Sequence, residues 1–185
     1  MELNEFKRNF VGFELPKELI LLNEFDNNVS DYYSEGFELA LDDKSGIATW
    51  SENKDFLDRL MPFAQANASG SIYALWDDGE NKELVNLPVV VFGDEGGYHV
   101  VAENIIGLLQ LLTFDTEISV DYDEVYFYKD EEDYEESHNL SLYKNWLKEN
   151  LNLEPIENTE EIIEKAQQKY KSKFDNWVGQ YYSEE

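Results

Sequence analysis

Residues 88–112, PVVVFGDEGGYHVVAENIIGLLQLL, constrain the fold more than any other segment. The run from Pro88 to Phe92 is continuously apolar and β-branched, which suits a strand buried on both faces. Tyr98–Glu103 reads as the next strand. From Asn104 to Leu112, Ile105, Leu108, Leu109 and Leu112 share one side while Ile106 and Leu111 widen it, predicting a largely buried helix. Between the strands lies Gly93-Asp94-Glu95-Gly96-Gly97, either a phosphate cradle or a sharp turn. A phosphate loop presents bare backbone N–H groups at a helix N-terminus, usually beside a lysine. Here two carboxylates occupy the segment, no lysine lies within ten residues, and Tyr98–Glu103 after it is strand-like rather than helical. The segment reads as a turn.

The same reasoning extends along the chain. Residues 14–25 form a short helix with Pro16 in its first turn and Leu19, Ile20 and Leu22 on helical spacing. GFELALDD, residues 36–43, alternates as a half-buried strand, and Lys44-Ser45-Gly46 predicts a hairpin turn into a strand over 47–50. Phe56–Ala66 is ambiguous: Pro62 disfavours a long helix and allows an edge strand or a bulge. GSIYALW, residues 70–76, is a strand, and 77–82 a turn. A short strand over Val125–Tyr128 precedes a solvated acidic loop. Residues 142–151 and 159–178 are amphipathic helices. Asn158 is the expected cap of the second, whose inward stripe is Ile162, Ile163, Ala166, Tyr170, Phe174 and Trp177. Strands clustered mid-chain between terminal helices imply an α+β fold: a central antiparallel or mixed sheet of four to six strands flanked by helices. The expected organisation is a single domain over 1–185, with helical parts at 1–35 and 137–185 packed on the sheet.

Charge then limits function. The 185 residues carry 14 basic and 41 acidic side chains, a net of −27, yet 42% are hydrophobic and 15% aromatic, so this is an acidic globular chain rather than a disordered one. The first 143 residues hold eight basic and 32 acidic residues, a net of −24. Nucleic acid and anionic membranes would be repelled, whereas cationic partners are favoured: a basic protein, a polyamine or metal ions. There is no cysteine, hence no disulfide or thiolate site. MELNEFKRNF has acids where a signal peptide needs a basic region, and no apolar run is long enough to span a membrane. The expectation is a cytoplasmic protein without cofactor, monomeric or weakly dimeric.

Chemical motifs are sparse. His99 and His138 lack partners at metal or helical spacing, and His99 reads as an ordinary strand residue. No serine-hydrolase elbow occurs. With 41 acids, any pair could be nominated for carboxylate catalysis, so such pairs select nothing. DEEDYEE, residues 130–136, lacks the alternating ligands and glycine of a calcium loop. The distinctive surface is DYDEVYFYKDEEDYEE, residues 121–136, with nine acids, four tyrosines and one lysine. It reads either as a contact surface for a cationic partner or as a solvated loop whose tyrosines pack back on the domain. The candidate contacts are Asp121, Asp123, Glu124, Tyr126 and Tyr128, and then Asp130, Glu131, Glu132, Asp133, Tyr134, Glu135 and Glu136. Asp94 and Glu95 on the glycine turn are secondary candidates.

Pro62-Phe63-Ala64, Gly70, Trp76, Pro88 with Phe92-Gly93-Asp94-Glu95-Gly96, the leucine-rich helix after them and the closing YKNWLKENLNLEPIENTEEIIEKAQQKYKSKFDNWV resemble the SUKH superfamily. That group includes bacterial immunity proteins and fungal cell-wall-synthesis regulators of the Smi/Knr type. The resemblance covers most of the chain from about Gly36; residues 1–35 match less, and the insertion after Asp121 belongs to no pattern. It implies an α+β domain without shared catalytic residues, and for bacterial members the direct binding of toxin domains, many of them nucleases. The reading is therefore a non-enzymatic immunity protein that neutralises a cationic, nuclease-type toxin domain. The alternatives are a regulatory or scaffold protein of the fungal type and a carboxylate-based hydrolase with two acids converging in a deep pocket.

Overall fold

A computed structural model describes residues 1–80 and 82–182. In chain order the elements are α1 (Leu3–Phe6), α2 (Lys17–Asn28), β1 (Glu38–Leu39), α3 (Ser45–Ala48), α4 (Lys54–Asp58), β2 (Leu60–Gln65), β3 (Ile72–Trp76), β4 (Val89–Phe92) and β5 (Tyr98–Ala102), followed by α5 (Ile105–Leu111), β6 (Ile118–Val120), β7 (Val125–Phe127), α6 (Leu140–Leu151) and α7 (Glu160–Val178). Strands β1 to β5 form one antiparallel sheet in sequential order, and β6 with β7 a separate antiparallel pair. The fold is α+β, as the clustering of strands between terminal helices implies.

Two-residue periodicity distributes the sheet's side chains between two cores. Tyr73, Leu75, Val89, Val91 and Val101 enter one with residues of α2, α5 and α6. Ala74, Trp76, Val90, Phe92 and Val100 enter the other with Phe56 of α4 and the inner face of α7. Every residue of β4 is buried because this strand has a neighbour on each side and a core on each face. On α7, Ile163, Ala166, Tyr170, Phe174 and Trp177 are buried, as the spacing requires, while Ile162 at the edge of the stripe is only half-buried. Trp177 stacks on Phe56 at 5.1 Å between centroids and lies 5.3 Å from Trp76, and the Arg59 guanidinium sits 5.0 Å from the Trp177 ring. Asn158 Oδ1 accepts the Glu160 N–H at 2.8 Å, capping the helix one residue ahead of Thr159. Among the described residues no helix is long and apolar enough to cross a membrane.

Two expectations are corrected. Residues 44–50 hold no hairpin turn and strand: Asp42 and Asp43 carboxylates accept the N–H groups of Lys44 and Ser45, Lys44 takes the left-handed conformation (φ 66°), and α3 starts there. Gly46 lies close against Ile72, where a Cβ would be 2.5 Å from the end of its side chain. The strand over 36–43 shrinks to Glu38–Leu39 because the buried Asn9 side chain replaces a strand partner, donating to Ala40 O (2.7 Å) and accepting from the Asp42 N–H (3.0 Å). The ambiguous 56–66 segment divides into the end of α4 and the whole of β2. The register of β2 against β3 shifts between Pro62 and Ala64, so the proline marks a bulge, as its missing N–H allows. Helix α2 begins at Lys17, with Pro16 immediately before it.

An ion cluster around the buried Asp78 carboxylate ties α7 to the segment after β3. Asp78 bonds Lys82, and Lys173 of α7 reaches it at 3.3 Å and Glu80 at 2.7 Å. Burial alone would raise the Asp78 carboxyl; the bonds from Lys82 and the Glu80 N–H, with the Lys173 charge, outweigh it and hold the group below its ordinary value. A depressed carboxyl contributes stability that is fully present above its unfolded value, about 3.9, and is lost as pH falls through the folded value. The stability difference between the wild type and Asp78→Asn is therefore expected to be largest near neutrality and to shrink below about pH 4 in denaturant titrations. A difference that stays constant down to about pH 2 contradicts this role.

Candidate acidic interface

The 121–136 segment comprises the turn and second strand of the β6–β7 pair and its continuation, and a polar network and a glycine turn hold that pair against the main sheet. Asn67, buried after β2, donates to Ile118 O (3.1 Å) and Ser71 Oγ (3.0 Å), and accepts from the Gly70 and Ser71 N–H groups. The hydroxyls of Ser69 and Ser71 each donate to Asp94 Oδ1 at 2.8 Å. Burial would raise the Asp94 carboxyl, but these two bonds pull it below its usual range. The glycine segment is a turn between β4 and β5, closed by Gly93 N–H donating to Gly97 O at 2.9 Å. A Cβ on Gly97 (φ +78°) would overlap the Asp121 carbonyl, and one on Gly96 (φ +116°) would lie 2.5 Å from the Tyr122 ring. The glycines thus let the acidic hairpin lie directly on the turn. His99 takes part as an ordinary strand residue: its Nε2 is 2.7 Å from Asp121 O, and burial pulls its imidazole below the ordinary value.

The far end of the segment is anchored by Asp115, buried and left-handed at φ 59°. Its carboxylate accepts the Glu35 N–H (3.0 Å), the Tyr134 hydroxyl (2.6 Å) and the Ser137 N–H (2.9 Å). Tyr134 is therefore directed inward, its hydroxyl raised first by burial and then by the Asp115 carboxylate. Lys129 lies 3.8 Å from the Tyr134 ring centroid and 4.7 Å from that of Phe114. Of the segment's tyrosines, Tyr134 turns inward and Tyr122 lays one side of its ring on Gly96. Tyr122, Tyr126 and Tyr128 are 60%, 40% and 67% exposed.

The acids Asp121, Asp123, Glu124, Asp130, Glu131, Glu132, Asp133, Glu135 and Glu136 are exposed, and among the described residues none is in a salt bridge. Several of the chain's few cations are committed elsewhere. Lys165 and Lys169 both hold Glu103, Lys171 holds Asp175, and Lys173 holds Asp78 and Glu80. Glu95 is exposed beside the hairpin, whereas Asp94 is occupied by the two serines. Sequence reasoning did not identify Asn67 and Asp115; their only signal is a polar residue inside an otherwise apolar or turn-rich stretch.

A closer carboxylate grouping lies at Glu35, raised by partial burial and then by Glu117 and Asp115. Glu117 accepts the Ala68 N–H at 2.8 Å and Asp115 makes the three bonds above, so both acids serve loop geometry. Among the described residues no group of three or more His, Asp or Glu side chains lies in metal-holding geometry. Comparison with known protein families, with curated proteins and with solved structures finds no match.

Two substitutions test the anchoring. Asp115→Ala leaves buried donors without an acceptor and is expected to cost about 3 kcal/mol in denaturant unfolding, against about 1 kcal/mol for Tyr134→Phe and under about 0.5 kcal/mol for Asp133→Ala. Equal costs at Asp115 and Asp133 contradict the anchor. Gly97→Ala is expected to destabilise by several-fold more than Gly12→Ala, which has a similarly positive φ of +94° but nothing within 4 Å of its added methyl. Equal losses contradict close packing of the hairpin on the turn.

Proposed function

We propose that the chain is a non-catalytic binding protein that captures a basic protein, and that it is an immunity protein covering the phosphate-attracting face of a nuclease-type toxin domain. One observation carries the reading: nine carboxylates within 16 residues, none ion-paired among the described residues, interleaved with three exposed tyrosines on the β6–β7 hairpin and its continuation to Glu136. Uncompensated charge of this density steers a cationic partner and speeds its capture. Tyrosine adds rigid contact area at little entropic cost. A nuclease presents a basic face to attract its substrate, so an acidic surface competes directly with nucleic acid there. The resemblance of the sequence motifs to the SUKH superfamily, whose bacterial members bind toxins, agrees with this reading.

The immobilised protein, exposed to lysate of its source cell at about 20 mM and about 500 mM salt, is expected to retain a basic protein at the lower salt alone. Replacing Asp130, Glu131, Glu132, Asp133, Glu135 and Glu136 by Asn or Gln is expected to slow association with that protein about tenfold or more and to flatten its salt dependence. An unchanged rate and salt slope would refute the electrostatic reading.

A further inference from the structure

The pairing of β7 leaves a feature that charge alone does not use. β7 pairs with β6 on one side and, among the described residues, with no strand on the other. Asp121 N–H donates to Glu124 O at 2.9 Å, and Ser119 stands opposite Tyr126. In an antiparallel ladder these alternate pairs exchange the backbone bonds, so Val125 and Phe127 turn their N–H and C=O groups away from β6. No described group of the chain bonds them.

This edge faces a groove of about 350 Å³. One wall is the consecutive run 124–127 with nothing from β6, which means that the strand presents its edge; the other wall is the start of α7. Phe114, Phe127 and Ile163 give the groove apolar lining. Glu124, Glu157, Glu160 and Glu164 are its charged residues; all are exposed, no lysine or arginine lines it, and none of the four is in a salt bridge among the described residues. The partial positive charge at the α7 N-terminus, about half a unit, is outnumbered by these glutamates.

We propose that this groove takes an extended segment of the partner as an added strand on β7, with apolar side chains on the lining and lysine or arginine side chains among the glutamates. The proposal rests on the reading that the partner is cationic and deepens it by naming the element that engages. Strand addition supplies main-chain bonds for affinity and alternate side chains for specificity, and side chains of one face recur at about 7 Å. A second copy of this chain does not fit, because two chains of net charge −27 would meet acid against acid.

The test uses the full chain, isotope-labelled for NMR, and two probes of equal charge: a hexapeptide alternating valine and lysine, and the same peptide N-methylated at every residue, which cannot pair with a strand. The unmodified peptide is expected to bind at low salt, to shift and protect the amides of Val125 and Phe127, and to bind about tenfold or more tightly than the methylated one. Glu124→Gln with Glu160→Gln and Glu164→Gln is expected to weaken it more than neutralising Asp130–Glu136 does. Equal binding of the two peptides, or protection confined to other segments, overturns strand addition and leaves the charge reading standing. Binding of neither peptide at low salt overturns both. A concentration-dependent dimer that protects Val125 and Phe127 without peptide assigns the edge to a second copy and overturns the proposal.

Discussion

The five-stranded sheet is apolar on both faces, and both must be covered. Ala74, Trp76, Val90, Phe92 and Val100 require the aromatic face of α7, while Tyr73, Leu75, Val89, Val91 and Val101 require α2, α5 and α6. Antiparallel sheets often leave one face to water; this one does not, so helices from both ends of the chain must return to it. The terminal helices are thus structural lids. Lysines follow from that placement: on α7, Lys165, Lys169 and Lys173 bridge to Glu103, Asp78 and Glu80 on the segments beneath.

This use of cations shapes the surface as much as the acids themselves. A chain with 14 basic residues that commits several to intramolecular pairs leaves one sector of its surface with nine acids against the single Lys129. The sector is the β6–β7 hairpin and its continuation to Glu136, held at one end by Asn67 and the glycine turn and at the other by Asp115. Isolated surface ion pairs contribute little to stability. Their effect here is the distribution of charge, which places negative potential where the tyrosines are exposed.

Legibility in the sequence followed the physical strength of each signal. β4, α5, α6 and α7 were readable because a continuous apolar run or a long 3.6-residue stripe has few alternative interpretations, and Pro62 announced the bulge in β2 by its missing N–H. The glycine turn was readable by elimination, since two carboxylates do not suit a phosphate. What escaped was decided by single polar side chains acting across long sequence separations. Asn9 ended β1 from about 30 residues away, and the Asp42-Asp43 pair converted an expected hairpin turn into α3. β6 went unread although β7, equally short, was expected, because Ile118-Ser119-Val120 lacks the aromatic run that marks β7. Composition likewise could not distinguish Tyr134 from Tyr126 and Tyr128. The inward direction of Tyr134 depends on the buried carboxylate of Asp115, 19 positions earlier.

The central claim is that the unpaired acids and exposed tyrosines of the hairpin are where a basic protein meets this chain. Hydrogen exchange of the full chain, alone and in complex with the protein that it retains at low salt, tests this most directly. Protection over residues 118–136 and the start of α7, with the outer face of α6 around the exposed Leu142 unchanged, is the result that this account predicts. Protection centred on α2 or α6 with the hairpin still open to exchange, or a retained partner that is itself acidic, would contradict it.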